Sequence, residues 1–293
     1  MKLNKVEKSW ILYDVANSAF TLIMSATIPI YFAALYNDAI TGVPATTFFG
    51  FSTSISVAII ALLSPFMGAV ADHKGLKKKL FVGSILIGVL GGLAFTAISN
   101  WIFFLVLFII SRVGYSFANV FYDSMLTDVT TNEKMDAVSA YGYAFGYIGS
   151  TIPFIMGIIL ITFYKNIGIS EGQATQLSFL IALAWWVLFT IPLLRNVKQT
   201  YYTETESHLL ANSFKRVGQT FNKIKKNRAL FFYIIAYFFY IDGVYTIISM
   251  ASSFGKELKL ETTGLIAALT LNSIYCLPIC DLCGYVGEEI QST

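Results

Sequence analysis

The stretch Gly68-Ala-Val-Ala-Asp-His-Lys-Gly-Leu-Lys-Lys-Lys79 joins two long apolar runs of the chain. The first run extends from Phe48 to Ala71, and the second extends from Leu80 to Ile98. Each is about as long as the 17–25 residues that an α-helix needs to cross roughly 30 Å of hydrocarbon. The stretch therefore predicts two membrane-spanning helices connected by a short, lysine-rich turn.

Further apolar runs predict that these two helices belong to a larger bundle. The runs cover Trp10 to Leu35, Trp101 to Leu126, Val138 to Phe163, Leu177 to Leu194, Leu230 to Met250 and, as the opening of another, Leu265 to about Ile279. Hydrophobic residues make up 56% of the chain and charged residues only 13%, whereas soluble domains are about 25% charged. We predict an all-α, polytopic transmembrane bundle, with the runs numbered spans 1 to 8 in chain order.

The basic residues are concentrated in alternate links between the spans. One set of links comprises the N-terminus and the links after spans 2, 4 and 6, with Lys2, Lys5, Lys8, Lys74, Lys77, Lys78, Lys79, Lys134 and eight further cations between residues 195 and 228. The opposite links carry only Lys165, Lys256 and Lys259. Because lysine-rich links stay in the cytoplasm, we predict a cytoplasmic N-terminus, in the plasma (inner) membrane if the protein is bacterial.

The overall charge follows from this bias and gives no indication of nucleic-acid binding. The net charge is +3, and the cations that produce it are those that orient the spans. Within the membrane, Arg112 is the one cation, in span 4.

One long polar link divides the chain. Residues 195–228 separate a six-helix unit, residues 1–194, from a second unit that starts at residue 229 and extends to residue 293. Apolar residues recur in this link at spacings of four and three, at Leu210, Phe214, Val217, Phe221 and Ile224, among basic residues. This pattern predicts a basic amphipathic helix, either attracted to anionic membrane lipid or packed under the bundle. A simple tether that carries topogenic charge is the alternative.

The Gly68–Lys79 stretch resembles the motif between helices 2 and 3 of the major facilitator superfamily, Gly-x-x-x-Asp-Arg/Lys-x-Gly-Arg/Lys-Arg/Lys. Gly68 is expected to permit close helix approach, Asp72 to place a carboxylate at a helix end and Gly75 to allow the turn. The resemblance implies a gating motif that contains Gly68, Asp72, Gly75 and Lys77. His73 and Leu76 depart from it, since a cation is usual at both positions.

Three further stretches are similar to one branch of that superfamily, the vacuolar amino-acid effluxer-like, autophagy-related proteins and their bacterial relatives. The stretches are residues 10–20 (WILYDVANSAF), 139–149 (SAYGYAFGYIG) and 240–247 (YIDGVYTI). The resemblance extends to about residue 271. It implies a twelve-helix fold of major-facilitator type, of which about eight helices are present here. It also implies a secondary transporter of small polar solutes, amino acids among them, by alternating access.

Candidate transport residues are the few polar groups within the spans. A charge at the centre of a spanning helix costs about 2.5–3.5 kcal/mol on insertion scales, so such groups usually face water or a partner. The candidates for substrate contact or for coupling to a proton or another ion are Asp14, Asn17, Arg112, Asp242 and Tyr245. Asp242 is placed near the membrane midplane, and Asn17 and Tyr245 each follow an aspartate by three residues.

Each candidate also has a structural interpretation. Asp14 could cap span 1, and Arg112 could neutralise one of the aspartates as a purely structural ion pair. Asn17 could serve only as an interhelical hydrogen bond. Asp123, near the lysine-rich end of span 4, is assigned to gating or to solvent contact, with Asn119 and Tyr122 as uncertain neighbours.

Span 5 carries a face of small residues. Gly142, Gly146 and Gly149 recur at spacings of four and three, so they share one side of a helix. Such a face allows another backbone to approach closely. We predict a packing contact here, which in a rocking transporter could also slide.

Other classes of protein fit the sequence less well. The sequence contains no His-Glu-x-x-His or Gly-x-Ser-x-Gly motif, so no catalytic residue, metal or cofactor is predicted. Cys276, Cys280 and Cys283 lack a nearby histidine or a fourth ligand for zinc. A channel would require a ring of charges or a filter loop. A non-transporting scaffold or receptor, or an inactive fragment of a transporter, is the alternative to a transporter. The oligomeric state is left open.

The final residues do not continue the pattern of apolar spans. A two-half transporter needs four more helices after span 8, whereas about thirty residues follow Gly264. From about Asn272, cysteines and acidic residues interrupt the apolar run. We therefore expect a truncated or frame-shifted copy of a longer transporter. A half-length chain that pairs with another subunit is the alternative.

Overall fold

The computed structural model describes residues 3–36, 42–204 and 209–258. Seven helices in these ranges are long and apolar enough to cross a membrane. Six of them are α1 (Lys5–Leu35), α2 (Ala45–Ala71), α3 (Leu76–Thr96), α4 (Trp101–Ser124), α5 (Met135–Thr162) and α6 (Glu171–Asn196). The amphipathic α7 (Leu209–Lys226) and the seventh long helix, α8 (Arg228–Glu257), follow. The all-helical, multi-pass architecture predicted from the sequence is confirmed.

Three of the sequence predictions concern residues outside the described ranges. Span 8 and the three cysteines belong to residues 259–293, and so does the proposed change of composition near Asn272. Spans 1 to 6 correspond to α1–α6, and span 7 corresponds to α8.

α1 changes its hydrogen-bonding pattern midway. It is α-helical over Lys5–Leu22, π-helical over Ile23–Thr27 and α-helical again over Ile28–Leu35. Pro29 lies just after the π-helical turn and cannot donate the amide hydrogen bond of a regular helix. The wider turn absorbs the disruption. This segment is also the part of α1 against which α8 packs.

Glycines allow α3 and α4 to pack backbone to backbone. Ser111 of α4 donates a hydrogen bond of 2.7 Å to the carbonyl oxygen of Gly88 on α3. A Cβ atom at Gly91 would lie 2.9 Å from the backbone nitrogen of Ser111, closer than real Cβ contacts. The two helices are therefore fixed in register by small residues and by a side-chain hydrogen bond.

Trp186 of α6 fills the centre of the bundle and is fully buried. Its ring lies over Gly88 and stacks on Phe20 with a centroid distance of 5.0 Å. Its indole Nε1 donates to the hydroxyl of Tyr13, at 3.4 Å. The core is thus built from aromatic rings of α1 and α6 packed against the glycine face of α3.

The outer faces of the bundle are apolar. Large hydrophobic side chains that would be costly to leave in water are exposed, among them Leu62 (70%), Leu90 (62%), Phe103 (62%) and Leu188 (60%). Lipid chains cover such a surface in a membrane protein. Along α8, every side chain from Phe232 to Tyr240 is exposed.

Candidate functional site

A polar stripe runs along the contact between α1 and α4. Asn17 donates a side-chain hydrogen bond of 3.1 Å to Asn119, and the hydroxyls of Thr21 and Tyr115 are hydrogen-bonded to each other. Moving four residues up α1 therefore moves four residues down α4, which shows that the helices are antiparallel. The amides of Asn17 and Asn119 satisfy part of each other's hydrogen-bonding capacity, and Thr21 at the next turn is exposed.

Two carboxylates lie at one end of this stripe. Asp14 is one turn before Asn17 on α1 and only 7% exposed, whereas the side chain of Asp123 on α4 is exposed. Tyr122, the residue before Asp123, packs against Tyr13, the residue before Asp14, with a centroid distance of 4.5 Å. The two aspartates follow these rings on facing helices and interact electrostatically. From the sequence, Asp123 was assigned to gating or to solvent contact and Asp14 to transport. In the fold the two residues lie at the same end of the polar stripe.

Arg112 does not neutralise either aspartate. It lies on α4 about 16 Å from Asp123 along the helix axis, at about 1.5 Å per residue, and Asp14 is level with the Asp123 end. Within the described ranges, Arg112 forms no ion pair with a carboxylate. The structural ion pair considered from the sequence is therefore not formed in this part of the chain, because Arg112 is three helical turns away.

The glycine face of α5 packs against the part of α1 that carries Asp14. A Cβ atom at Gly142 would lie 2.9 Å from the Trp10 ring and 3.0 Å from Oδ2 of Asp14, and one at Gly146 would lie 2.9 Å from Oγ of Ser18. At Gly149 it would overlap the side chain of Val15. The three glycines thus make room for the polar edge of α1.

The remaining candidates lie on α8. Asp242 and Tyr245 are both exposed, Tyr245 to 65%. α8 packs against the π-helical segment of α1 and the turns that follow it, and Tyr245 interacts electrostatically with Asp123. Asp242 forms no ion pair within the described part of the chain.

A second cluster of polar residues surrounds the lysine-rich turn after α2. Gly75 adopts a left-handed conformation, with φ of 72°, that other residues rarely adopt. The backbone N–H of Asp72, the residue that follows α2, donates to the carbonyl of Gly68 at 3.1 Å. The close helix approach predicted at Gly68 is not found among the described residues. A Cβ atom at this position would meet nothing within 4 Å, so no neighbouring helix requires a glycine here.

Lys77 of this turn forms a buried ion pair with Asp128. Its Nζ lies 2.8 Å from Oδ2 of Asp128 and also donates to the carbonyl oxygen of Ser124 at 3.1 Å. The two side chains are 5% and 0% exposed. The sequence prediction missed Asp128, although it is an acid in the short link after span 4, on the same side of the bundle as the basic motif.

The chain that follows α6 crosses over this turn, and we call residues 197–204 the latch segment. The backbone N–H groups of Thr200 and Tyr201 donate to Oδ1 of Asp128 at 2.7 and 2.9 Å. Thr203 donates to the carbonyl of Asp72 at 2.8 Å and accepts from the N–H of Lys74 at 3.0 Å. Asp128 is therefore shared between the lysine-rich turn and the latch segment.

Gln199 inserts its side chain between the ends of the turn. Its Oε1 accepts from the N–H of Gly75 at 2.9 Å, and its Nε2 donates to the carbonyls of Ala71 and His73 at 3.2 and 3.3 Å. His73 is fully buried beneath the latch segment. His73 occupies a position where the superfamily motif usually has a cation.

The outer edge of the latch segment carries an exposed ion pair. Nζ of Lys74 lies 3.4 Å from Oε1 of Glu204, with side-chain exposures of 56% and 75%. The negative charge of Glu204 raises the pKa of the Lys74 ammonium above its ordinary value. Solvent screens this pair, so its contribution to stability is small compared with that of Lys77 and Asp128.

Replacing Gln199 with Leu is expected to loosen the lysine-rich turn without unfolding the bundle. The change removes an acceptor from Gly75 and a donor from two carbonyls, and each lost hydrogen bond costs about 0.5–1.5 kcal/mol. Hydrogen exchange should quicken at the amide of Gly75 and stay unchanged at Gly88 in α3. Equal protection at Gly75 in both proteins would contradict this assignment of Gln199.

No group of three or more His, Cys, Asp or Glu side chains that could hold a metal ion is found in residues 3–36, 42–204 and 209–258. The arrangement combines a polar stripe inside an apolar bundle with a hydrogen-bonded turn at one end.

These features are those of a multi-pass membrane protein with a fold of the major-facilitator type. Comparison with known proteins defines the family: residues 39–278 match the family described as "Vacuole effluxer Atg22 like". The chain belongs to this family.

Curated relatives agree with the family assignment. The chain is 42% identical over 98% of its length to the protein named "Uncharacterized MFS-type transporter YxiO" of Bacillus subtilis, and the alignment covers 69% of that protein. It is 28% and 26% identical to proteins named "Autophagy-related protein 22-1" from Emericella nidulans and Penicillium rubens. Those alignments cover 46% of this chain and about a quarter of each fungal protein.

Proposed function

We propose that this chain carries the first half, and the start of the second half, of a secondary active transporter of small polar solutes, amino acids among them. The polar stripe between α1 and α4 is the observation that carries the proposal. Asn17 and Asn119 bond to each other, and Tyr115 bonds to Thr21. Asp14, however, forms no ion pair among the described residues, and a carboxylate is costly to place in a membrane unless it meets water, a partner or a ligand. A solute that crosses the membrane by alternating access would supply such a ligand.

In this proposal the halves are residues 1–194 and residues from 229 onward, joined by the linker 195–228. α8 contributes Asp242 and Tyr245 to the solute pathway from the second half. Asp242 is assigned to coupling with a proton or another ion, and Asp14 and Asn17 are assigned to polar contact with the solute. Arg112, three turns from the aspartates, is assigned to a different part of the same pathway.

The lysine-rich turn is assigned to the cytoplasmic gate. The positive-inside rule places this end of the bundle in the cytoplasm together with the N-terminus. Asp128, Lys77 and Gln199 hold the turn against the latch segment through the ion pair and hydrogen bonds described above. The latch segment begins the linker to the second half. Movement of one half relative to the other would therefore pull on these contacts before it reached the rest of the first half.

The amphipathic α7 is assigned to the cytoplasmic membrane surface. Val217 and Ile224 are half-buried and Phe221 is 56% exposed, with the ammonium of Lys225 5.3 Å from the Phe221 ring. α7 packs on both α2 and α8. Anionic lipid headgroups would attract its basic side chains.

Proteoliposomes that contain the full chain test the transport proposal. A pH gradient imposed across the liposome membrane should drive saturable uptake of labelled amino acids. A scaffold would give no solute-dependent proton flux. A channel would conduct the solute independently of the imposed pH gradient. Absence of coupled flux for every solute tested, in protein that is inserted and folded, would contradict the proposal.

Replacing Asp242 with Asn is expected to abolish coupled transport while membrane insertion is retained. The amide keeps the size of the side chain but can neither bind nor release a proton in the functional pH range. Uptake should be measured across a range of external pH, with Asp136→Asn as a control at the surface end of α5. Unchanged pH dependence in the Asp242→Asn variant would remove Asp242 from the coupling mechanism.

A further inference from the structure

Three oxygen-bearing side chains converge at one end of the polar stripe. Asp14 projects from α1, and Tyr122 and Asp123 are consecutive on α4. The hydroxyl of Tyr122 is within electrostatic range of both carboxylates, and the carboxylates are within range of each other. Asp14 is nearly buried, whereas Asp123 opens to the exposed side of the bundle. The cluster therefore meets solvent at Asp123, whereas the hydroxyl of Tyr122 is closed off from solvent, so a ligand reaches that hydroxyl only after the helices around it move apart.

The hydroxyl of Tyr122 has no hydrogen-bond partner among the described residues, although Tyr122 is only 3% exposed. The packing around its ring restrains the hydroxyl from turning towards a hydrogen-bond partner. The ring stacks on Trp10 with a centroid distance of 4.4 Å and packs against Tyr13 at 4.5 Å, and the backbone carbonyl of Tyr122 accepts from Nε1 of Trp10 at 3.1 Å. A buried hydroxyl held in this way still has its hydrogen-bonding capacity to satisfy, and beside two carboxylates it offers an acceptor oxygen to a ligand.

The charge of the cluster is also incomplete. Lys77, on the same side of the bundle, is already bound to Asp128 at 2.8 Å. Arg112 is about 16 Å away along α4. Within the part of the chain that the structure describes, neither Asp14 nor Asp123 forms an ion pair. The ligand that fits two partly desolvated carboxylates and a hydroxyl is a cation.

We propose that Asp14, Asp123 and the hydroxyl of Tyr122 bind the primary ammonium group of the transported solute. A primary ammonium has three N–H donors, and the cluster offers three oxygen acceptors on two facing helices. The stacked rings of Trp10 and Tyr122 form an apolar wall beside it. This inference rests on the proposed transport function, because the solute reaches the cluster along the polar stripe.

The binding test uses the purified full chain in lipid nanodiscs and a hydrophobic carbodiimide, which modifies carboxyl groups. Mass spectrometry follows the rate at which the unmodified peptides that carry Asp14 and Asp123 disappear. The N-acylurea and methylamide products are counted together as modification, because free methylamine couples to a carbodiimide-activated carboxyl group. Methylammonium should slow both rates at a concentration at which tetramethylammonium and sodium do not, because tetramethylammonium has no N–H donor and sodium is no hydrogen-bond donor. Equal protection by sodium or tetramethylammonium would overturn the ammonium assignment.

Tyr122→Phe separates ligand binding from packing. It removes the unpartnered hydroxyl and keeps the stacked ring, so the Tm should stay the same or rise. Loss of one hydrogen bond to a charged ligand should weaken methylammonium protection roughly tenfold. Tyr141→Phe, a matched loss of hydroxyl on α5, should leave the protection unchanged. Full protection in the Tyr122→Phe variant would overturn the site.

Transport assays distinguish failure of this site from failure of the proposed function. If coupled uptake occurs but methylammonium neither protects the aspartates nor inhibits the uptake, the ammonium site is wrong and the transport function stands. If methylammonium protects the aspartates but no solute is transported, the site stands and the transport function is wrong.

Discussion

Replacing Asp128 with Ala is expected to lower the free energy of unfolding by about 3–5 kcal/mol, the cost of breaking a buried ion pair by removing one partner. The change leaves the ammonium of Lys77 buried and unpaired. It also removes the acceptor for the N–H groups of Thr200 and Tyr201. The latch segment should therefore separate from the lysine-rich turn even in molecules that remain folded.

Two measurements check this prediction. The Tm in detergent reports the loss of stability, and the rate of trypsin cleavage after Lys198, which is exposed within the latch segment, reports its release. Cleavage should be faster in the Asp128→Ala variant than in wild type. A variant with wild-type Tm and cleavage rate would show that Asp128 does not hold the latch segment.

A double-mutant cycle isolates the ion pair. Lys77→Met removes the buried charge that Asp128→Ala leaves unpaired, so the double variant should be more stable than Asp128→Ala alone. Lys74→Met provides the matched control, because the exposed Lys74–Glu204 pair should give no measurable change. Simple addition of the two single-variant effects would contradict a direct interaction between Lys77 and Asp128.

The spans were predictable because insertion into a membrane requires long apolar runs, but their ends were not. Span 1 was predicted from Trp10, whereas α1 begins at Lys5, after a capping box formed by Asn4 and Glu7. Span 6 was predicted from Leu177, whereas α6 begins at Glu171, after a capping box formed by Ser170 and Gln173. Polar capping residues extend a helix beyond its apolar run, so hydrophobicity alone places these starts too late.

The partners of the polar residues were less predictable than the residues themselves. The low frequency of ionisable groups in the spans pointed to Asp14, Asp123 and Arg112, but which of them meet depends on how α1 and α4 are aligned. The hydrogen bond between Asn17 and Asn119 fixes this alignment. It brings the two aspartates together and leaves Arg112 remote. No regularity in the sequence encodes such a register between separate helices.

The contacts of the latch segment could not be predicted from sequence patterns either, because they also join separate parts of the chain. Its contacts with the lysine-rich turn are mainly hydrogen bonds to backbone groups of Asp72, Lys74 and Gly75, and backbone groups carry no residue-specific signal. Lys77 was assigned to the gating motif by resemblance, but its acidic partner was not. The fold supplies that partner by bringing the link after α4 beneath the chain that leaves α6.

Replacing Gly149 with Ala is expected to force α1 and α5 apart and to lower stability by about 1–3 kcal/mol, the usual cost of overpacking. The added methyl group would overlap the side chain of Val15, which has buried neighbours and cannot move aside freely. Because the same contact seats Asp14 beside Gly142 and Gly146, coupled uptake should fall with the Tm. Gly83→Ala is a matched control, since a Cβ atom there meets nothing within 4 Å.

A second substitution tests whether the contact with Val15 is the cause. Val15→Ala removes the two methyl groups that a Cβ atom at Gly149 would meet, so it should restore much of the stability lost in Gly149→Ala. On its own, Val15→Ala should be destabilising because it leaves a small cavity. Opposite signs of the Val15→Ala effect in the two backgrounds would locate the steric conflict between these residues. A destabilising effect in both would mean that α1 and α5 approach each other elsewhere, and that the glycine face does not position Asp14.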